Sequence, residues 1–157
     1  MEFYYVPAFR VMGLAVRLDG DDMEDYEERL QNLWHRIFAE NVRMKIPKPN
    51  SELLFGVQTD FDGEEQQRKT ILIGYDVSEY DYVPEGLSVV EVQGGHYFMF
   101  SEVVDYDTEP SLQEEIINAG LDRNYITDFE VYDRSNSNGR TIDIKAYIGI
   151  HYSTEEE

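Results

Sequence analysis

Tyr125–Asp133 reads Y-I-T-D-F-E-V-Y-D, and the rest of the chain is organised around this segment. Its β-branched and aromatic residues favour a half-buried β-strand. Alternation along a strand places Phe129 and Val131 on one face and Glu130 and Tyr132 on the other. An acid in the middle of an apolar strand often marks a functional site, so Glu130 is the first candidate residue. The alternative is a solvated, outward-facing strand position, because carboxylates are rarely buried without a partner.

The composition limits the classes of function. A chain of 157 residues is long enough for one domain with a proper core. Its 33 acidic and 13 basic residues give a formal net charge of -20, which disfavours direct binding to nucleic acid or to anionic membranes. The absence of cysteine excludes disulfides and thiolate catalysis. There is no signal-peptide pattern and no apolar run of membrane-spanning length, so we expect a cytoplasmic protein.

The sequence predicts neither a metal site nor a cofactor. His35, His96 and His151 fall on different predicted elements and lack the spacing of metal ligands. The acidic run Asp19–Asp25 lacks the residue order of a calcium-binding loop and fits the start of a helix better. No phosphate-binding glycine loop and no nucleophile motif is present.

The first half of the chain predicts the order strand, helix, strand, strand. Phe9–Leu18 alternates between apolar and polar residues, as a strand does. Asp21 or Asp22 is a candidate helix cap, after which apolar residues recur at helical spacing and form a broad stripe. Leu53–Thr59 and Ile71–Val77 flank a polar connector, which predicts an antiparallel hairpin.

A joint with Pro84 and Gly86 separates the two halves of the chain. The apolar runs Leu87–Val92 and His96–Val103 follow it. The Gly94-Gly95 pair between these runs is either a turn or a bulge in one long strand.

A second helix begins near Ser111, which has the capping-box spacing to Glu114, and Gly120 suits its end. Tyr125–Asp133 and Ile142–His151 then supply two strands, so the second half repeats the pattern of the first. The predicted boundaries are 1–154 for a single domain, about 1–77 and 87–152 for its two modules, 78–86 for the joint and 155–157 for an acidic tail.

Eight short motifs follow one another along nearly the whole chain. They are F-R-V-M-G-L-A-V-R at Phe9–Arg17, L-W-H-R-I-F at Leu33–Phe38, L-F-G-V-Q-T-D-F-D at Leu54–Asp62, I-L-I-G-Y-D-V at Ile71–Val77, P-E-G-L at Pro84–Leu87, G-G-H-Y-F-M-F at Gly94–Phe100, D-F-E-V-Y-D at Asp128–Asp133 and I-D-I-K-A-Y-I-G-I at Ile142–Ile150. In this order they resemble the effector-binding domain of AraC-type transcription activators, which is also called the gyrase-inhibitor-like small-molecule-binding domain.

The resemblance implies an α+β fold of two strand-helix-strand-strand modules related by a pseudo-two-fold axis. Two helices on one face grip the antiparallel sheet, and the groove between them holds amphipathic, often cationic, molecules. The acid of the strand motif, here Glu130, is expected at the bottom of that groove. The aromatic residues that match the family motifs are Trp34, Phe55, Tyr97, Phe100, Tyr132 and Tyr147.

Two features of the sequence differ from the family pattern. The second predicted helix is short and lacks a tryptophan, and no helix-turn-helix is predicted. We therefore expect a stand-alone effector-binding domain for a hydrophobic cation, acting in transcriptional regulation or in the sensing and sequestration of drugs or toxins.

Two other functions are compatible with the resemblance. One is hydrolysis of electrophilic small molecules, with Glu130 as general base and Tyr132 or Tyr147 beside it. The other is an acidic protein-interaction module whose partner is a basic protein such as gyrase, or a separate DNA-binding regulator.

The net charge generates a first prediction. Because a surface of this charge repels phosphates, the chain should show no salt-sensitive association with duplex DNA near physiological ionic strength. A mobility-shift titration at two salt concentrations measures this. A shift that weakens at the higher salt concentration would contradict the prediction.

Overall fold

The computed structural model describes residues 2–105, 111–134 and 140–152. In these residues the chain forms one antiparallel sheet of eight strands, three α-helices and a 3-10 turn at Glu64–Gln66. The helices are α1 (Met23–Ala39), α2 (Val42–Lys45) and α3 (Leu112–Asn118). The strands are β1 (Glu2–Val6), β2 (Phe9–Asp19), β3 (Leu54–Asp62), β4 (Arg68–Val77), β5 (Ser88–Val92), β6 (Gly95–Asp105), β7 (Arg123–Asp133) and β8 (Thr141–Ile150).

The strand order is β1-β6-β8-β7-β3-β4-β2-β5, and every pairing between described strands is antiparallel. The predicted α+β class and antiparallel sheet are confirmed. Strands β2, β3 and β4 of the first half lie together, as do β6, β7 and β8 of the second half, and the pairing of β3 with β7 joins these groups at the centre of the sheet. The edge strands are exchanged, because β1 pairs with β6 and β5 pairs with β2. Gly94 lies between β5 and β6, so the glycine pair belongs to a turn rather than to a bulge in one strand. The sequence analysis missed β1, which pairs with β6.

Two short links curl this sheet. β1 is first in the strand order and β2 is seventh, yet only Pro7 and Ala8 separate them. Three peptide steps span at most roughly 11 Å, so β1 and β2 must end close together. The link between β5, at the opposite edge, and β6 is equally short, and the Gln93 backbone N–H donates to Thr127 Oγ1 of β7 at 3.1 Å. The sheet is therefore rolled towards one face.

Each face of the curled sheet has its own core. The inner face, towards which the sheet rolls, is filled by Val11, Phe55, Val57, Leu72, Val92, Tyr97 and Phe129. Helices α1 and α3 pack on the outer face. Leu33 and Ile37 of α1 pack on β2 and β4, while Leu112 and Ile116 of α3 pack on β6 and β8. Tyr132 contacts both of these clusters, so α1 and α3 share the outer face.

The two helix starts differ from each other. Asp22 caps α1 as expected, because its carboxylate accepts a hydrogen bond from the Asp25 backbone N–H at 3.2 Å. The predicted capping box of α3 is wrong. Ser111 makes no side-chain capping bond; instead its backbone N–H and its hydroxyl donate to Glu102 of β6. A carboxylate on the neighbouring strand thus replaces the local cap.

Residues 78–86 contain no helix or strand and are mostly exposed. No helix in the described part of the chain has the length and apolar character needed to cross a membrane.

A pair of glycines marks the tightest contact in the sheet. Gly13 of β2 and Gly74 of β4 lie directly opposite each other. A Cβ on Gly13 would lie 2.0 Å from the Ile73 carbonyl oxygen, and one on Gly74 would lie 2.0 Å from the Met12 carbonyl oxygen. The backbones approach so closely here that neither position has room for a side chain.

We expect Gly13→Ala to lower the free energy of unfolding by about 1–3 kcal/mol, because the added methyl forces β2 and β4 apart. The measurement is the urea midpoint of the variant against that of the parent chain. Gly95→Ala is the matched control, since its Cβ would meet no atom within 4 Å. Equal midpoints for the two variants would show that the close approach is not required.

Candidate functional site

A groove with a volume of about 840 Å³ lies on the outer face, beside α1 and the end of β7. We call it the helix groove. Its lining combines aromatic and aliphatic side chains with charged groups. The lining residues are Trp34, Phe38, Glu52, Leu53, Leu54, Tyr75, Val104, Asp105, Tyr132, Asp133, Arg134, Ile142 and Ile144.

Trp34 and Tyr132 form the aromatic wall of the helix groove. Their ring centroids are 5.0 Å apart and the rings meet edge to face. Trp34 is held by the apolar stripe of α1, and Tyr132 by its cross-strand neighbours Leu54 and Ile144. Phe38 lies one helical turn beyond Trp34 and is 54% exposed, with the Arg134 guanidinium carbon 5.9 Å from its ring centroid.

Glu130 lies behind this wall. The Tyr132 hydroxyl donates to Glu130 Oε2 at 3.0 Å, and Gln58 Nε2 lies 3.5 Å from Oε1. Lys69 Nζ in turn donates to Gln58 Oε1 at 2.9 Å. The carboxylate lines a separate polar cavity of about 130 Å³ rather than the helix groove itself. Tyr132 therefore separates the apolar groove from the acid.

Burial controls the ionisation of this pair. It raises the pKa of the Glu130 carboxyl, although the Tyr132 hydrogen bond and the Lys69 charge partly oppose the rise. The pKa of Tyr132 is raised well above its ordinary value, first by burial and then by the adjacent Glu130. The phenol consequently stays protonated and acts as a hydrogen-bond donor to the carboxylate.

A second buried acid lies in the polar cavity. Asp128 accepts from the Gly149 backbone N–H at 2.9 Å and from the Arg123 guanidinium at 2.5 Å. Burial raises the pKa of Asp128, against the lowering effect of Arg123. A carboxylate that is bonded on both oxygens serves to hold β7 against β8.

The structure divides the seven residues predicted for a single site. Glu130, Trp34 and Tyr132 lie together on the outer face. Phe100 also faces outwards, but it packs in the cluster around α3 and does not line the helix groove. The remaining three residues pack on the inner face and do not line the helix groove; they are Phe55, Tyr97 and Tyr147.

Strand register explains why these residues lie on two faces. Phe55 pairs with Val131 and Tyr147 pairs with Phe129, so both follow the inward side of β7. Tyr97 is 2% exposed, and its hydroxyl bonds to the Gln93 carbonyl and to Thr127. It supports the turn after β5 instead of binding a ligand.

The same division affects the residues considered for hydrolysis. Tyr147 is on the opposite face from Glu130, so only Tyr132 remains beside the acid. The raised pKa of Tyr132 disfavours the phenolate that would act as a nucleophile.

Sequence reasoning missed the groups that surround the acid. Gln58, Lys69 and Arg123 come from three strands, and no local motif links them to Glu130. The acidic rim of the helix groove was missed as well, because its carboxylates belong to segments far apart in the sequence. These carboxylates are Glu52, Asp105 and Asp133.

A curled antiparallel sheet with an aromatic groove beside its long helix is the architecture of an effector-binding domain. The family model of Cass2, the integron-associated effector binding protein, matches residues 2–150. The chain belongs to this family.

Solved structures share the fold. An integron cassette protein from the mobile metagenome of Vibrio cholerae is 20% identical, with a TM-score of 0.66 and 94% of each chain covered. SAV2435 bound to tetraphenylphosphonium is 12% identical, with a TM-score of 0.69, and the match covers 96% of this chain and 93% of that one. A candidate transcription regulation protein from Staphylococcus aureus MU50 is 12% identical, with a TM-score of 0.62 and coverages of 94% and 97%. No curated protein matches the sequence significantly.

The raised pKa of Glu130 predicts a pH-dependent gain in stability for Glu130→Gln. Above the carboxyl pKa of the unfolded chain, about 4.3, the folded state holds more protons than the unfolded state, so its stability falls as pH rises towards the folded pKa. The glutamine variant avoids this loss and can still accept the Tyr132 hydrogen bond.

We therefore expect the variant to be more stable than the parent at neutral pH and equally stable below the unfolded pKa. Urea unfolding across the acid-to-neutral range measures the difference. Exposed Glu91 on β5 provides the control variant Glu91→Gln, which should show no such pH-dependent gain. If the unfolding free energies of the Glu130 variant and the parent changed in parallel with pH, the ionised Glu130 carboxylate would not destabilise the folded state.

Proposed function

We propose that this protein captures small, hydrophobic aromatic cations in the helix groove. The observation that carries the proposal is the Trp34–Tyr132 wall with the Glu130 carboxylate hydrogen-bonded behind it. A groove of about 840 Å³ with a mainly apolar lining matches the dimensions of drug-sized ligand sites.

The aromatic wall supplies attraction for a cation. A positive group over the face of tryptophan or tyrosine gains about 0.5–2 kcal/mol, with the larger values in water-poor surroundings. Trp34 and Tyr132 both line the groove, and their ring planes are nearly perpendicular to each other. This geometry suits a bulky ligand with rings in more than one plane.

Glu130 acts on the ligand through Tyr132. Its carboxylate accepts the phenol hydrogen bond, which increases the negative character of the tyrosine ring that faces the groove. Acids at the rim add attraction for a cation, although Arg134 opposes them; the rim acids are Glu52, Asp105 and Asp133. Charge selection thus comes from a buried acid and from several groups at the entrance.

The structural neighbour SAV2435 supports this ligand class because it was solved with tetraphenylphosphonium, a cation surrounded by four aromatic rings. At 12% identity this neighbour shows a common fold, and the ligand class for the present chain is our proposal.

We also propose a biological setting. Capture of a toxic or signalling cation in the cytoplasm would serve sequestration or transcriptional regulation, and regulation requires a separate DNA-binding partner or a protein such as gyrase. The mirrored strand orders β2-β4-β3 and β6-β8-β7 support the proposed pseudo-two-fold relation between the modules.

Replacement of Glu130 tests the charge selection. We expect Glu130→Gln to weaken binding of tetraphenylphosphonium by about 1–2 kcal/mol, since the carboxylate acts through one intervening ring. Triphenylphosphine oxide, a neutral molecule with similar rings, should lose much less. Calorimetry of both ligands against both proteins provides the four affinities. Equal losses of binding free energy for the two ligands would show that Glu130 does not distinguish a cation from a neutral molecule.

The pH dependence of binding provides an independent check. A bound cation favours the ionised carboxylate, so tetraphenylphosphonium should bind more tightly as pH rises through the raised pKa of Glu130. Proton release on binding should accompany this change and should disappear in Glu130→Gln. Glu91→Gln, on the exposed side of β5, should retain both effects.

A further inference from the structure

Lys69 is a basic residue whose charge acts on the buried acid of the candidate site. It extends from β4 into the polar cavity that Glu130 also lines. Its ammonium group donates to Gln58 Oε1 at 2.9 Å, and Gln58 Nε2 lies 3.5 Å from Glu130 Oε1. Within the described part of the chain, Lys69 Nζ has no carboxylate oxygen within 4.0 Å. The Gln58 amide therefore bridges an ammonium and a carboxylate that do not touch.

Helix α1 holds Lys69 from the other side. Lys69 Nζ lies 5.5 Å from the ring centroid of Tyr26, within the range of a cation–π contact. Tyr26 packs against the outer core, and this contact holds its ring in place. The protein thus already keeps one ammonium between an aromatic ring and an amide that reaches Glu130. The cation proposed for the helix groove would also lie on aromatic rings with this carboxylate behind them.

The other charged groups of the polar cavity do not take the place of Lys69. Arg123 forms a salt bridge with Asp128. Burial is the main cause of the raised pKa of Glu130; Lys69 opposes this rise by its charge, whereas Asp128 adds to it. Glu65 also lines the cavity, but it is exposed to solvent. Within the described lining of this cavity, Lys69 is therefore the cation that acts on Glu130.

We propose that Lys69 is a built-in competitor of the ligand, which limits the preference of the helix groove for cations over neutral molecules. This inference rests on the proposed function. The ligand would approach Glu130 across Tyr132, whereas Lys69 approaches it from the polar cavity. Two positive charges attracted to one carboxylate repel each other, so Lys69 weakens the binding of a cation. A neutral aromatic molecule is not affected, and the groove accepts a broader range of ligands as a result.

Lys69→Met tests this inference, because it removes the charge and keeps an unbranched side chain. We expect tetraphenylphosphonium to bind about three- to tenfold more tightly to this variant. The affinity for triphenylphosphine oxide should change by less than about twofold. Calorimetry is performed above the pH at which proton release on binding ends, so that Glu130 is ionised in both proteins.

Two control variants separate the position of the charge from its mere presence. Lys69→Arg keeps the charge and should bind both ligands as the parent does. Arg10→Met removes a positive charge from an exposed position that pairs with Val77, at the opposite end of β4 from Lys69. It should change tetraphenylphosphonium affinity by less than about twofold, because solvent screens distant surface charges.

The ionisation of Glu130 provides a readout that packing alone would not change. Burial raises the pKa of this carboxyl, and the Tyr132 hydrogen bond and the Lys69 charge oppose the rise. Loss of the ammonium in Lys69→Met should therefore raise the pKa of Glu130 further. NMR titration of the Glu130 carboxyl carbon in the ligand-free protein measures this change. The pH range of proton release on tetraphenylphosphonium binding should move upward with it.

Three results would overturn the inference. They are an unchanged or lowered pKa of Glu130 in Lys69→Met, no gain in tetraphenylphosphonium affinity, and an equal gain for triphenylphosphine oxide. Because the NMR titration needs no ligand, it separates this inference from the proposed function. Failure of the parent chain to bind tetraphenylphosphonium would contradict the proposed function and the competition with it, while a raised pKa in Lys69→Met would still show that Lys69 acts on Glu130.

Discussion

The two-residue links Pro7–Ala8 and Gln93–Gly94 are the constraint on which the rest of the structure depends. Each joins strands that are far apart in the sheet order, so the sheet cannot remain open. Once the sheet is rolled, the inner face has room for side chains but not for helices. Both α1 and α3 must then pack on the outer face, where the helix groove also lies.

Tyr132 links packing to electrostatics on the outer face. Its ring contacts the clusters of both helices, and its hydroxyl keeps Glu130 bonded away from the apolar groove. A carboxylate left directly in that groove would carry a larger desolvation penalty. Gly56 pairs with Glu130, and a Cβ at this position would make an ordinary contact of 3.6 Å with the Tyr132 ring. In the proposed function, the acid therefore influences a ligand through Tyr132, without direct contact.

Much of this architecture could be predicted from local patterns. Residue spacing over a few positions is enough to predict the apolar stripe of α1 and its cap at Asp22. The same local spacing predicts that Phe129 and Glu130 lie on opposite faces of β7. The side of the sheet on which Tyr147 lies cannot be predicted in this way, because it depends on how β8 is aligned with β7. A one-residue change in that alignment would turn the side chain to the other face.

Long-range contacts account for the other errors. The start of α3 was assigned to a local capping box, but the structure uses Glu102 of β6, a partner outside the helix. β1 was missed because its stability comes from pairing with β6 and from aromatic contacts such as that of Phe3 with Phe98. The polar groups around Glu130 likewise come from three strands, so the sequence motifs drew attention to Glu130 and Tyr132 but not to Gln58, Lys69 and Arg123.

The pairing of β3 with β7 has a consequence for synthesis on the ribosome. Gly56 emerges more than 70 residues before its partner Glu130, which is a delay of roughly 4 to 15 seconds at 5–20 residues per second. Until then β3 presents an unpaired edge towards β7, and β1 likewise has no strand partner until β6 is synthesised. Unpaired edges of this kind promote association between nascent chains. The large negative charge of this sequence then acts before the protein is folded, by keeping neighbouring unfinished chains apart.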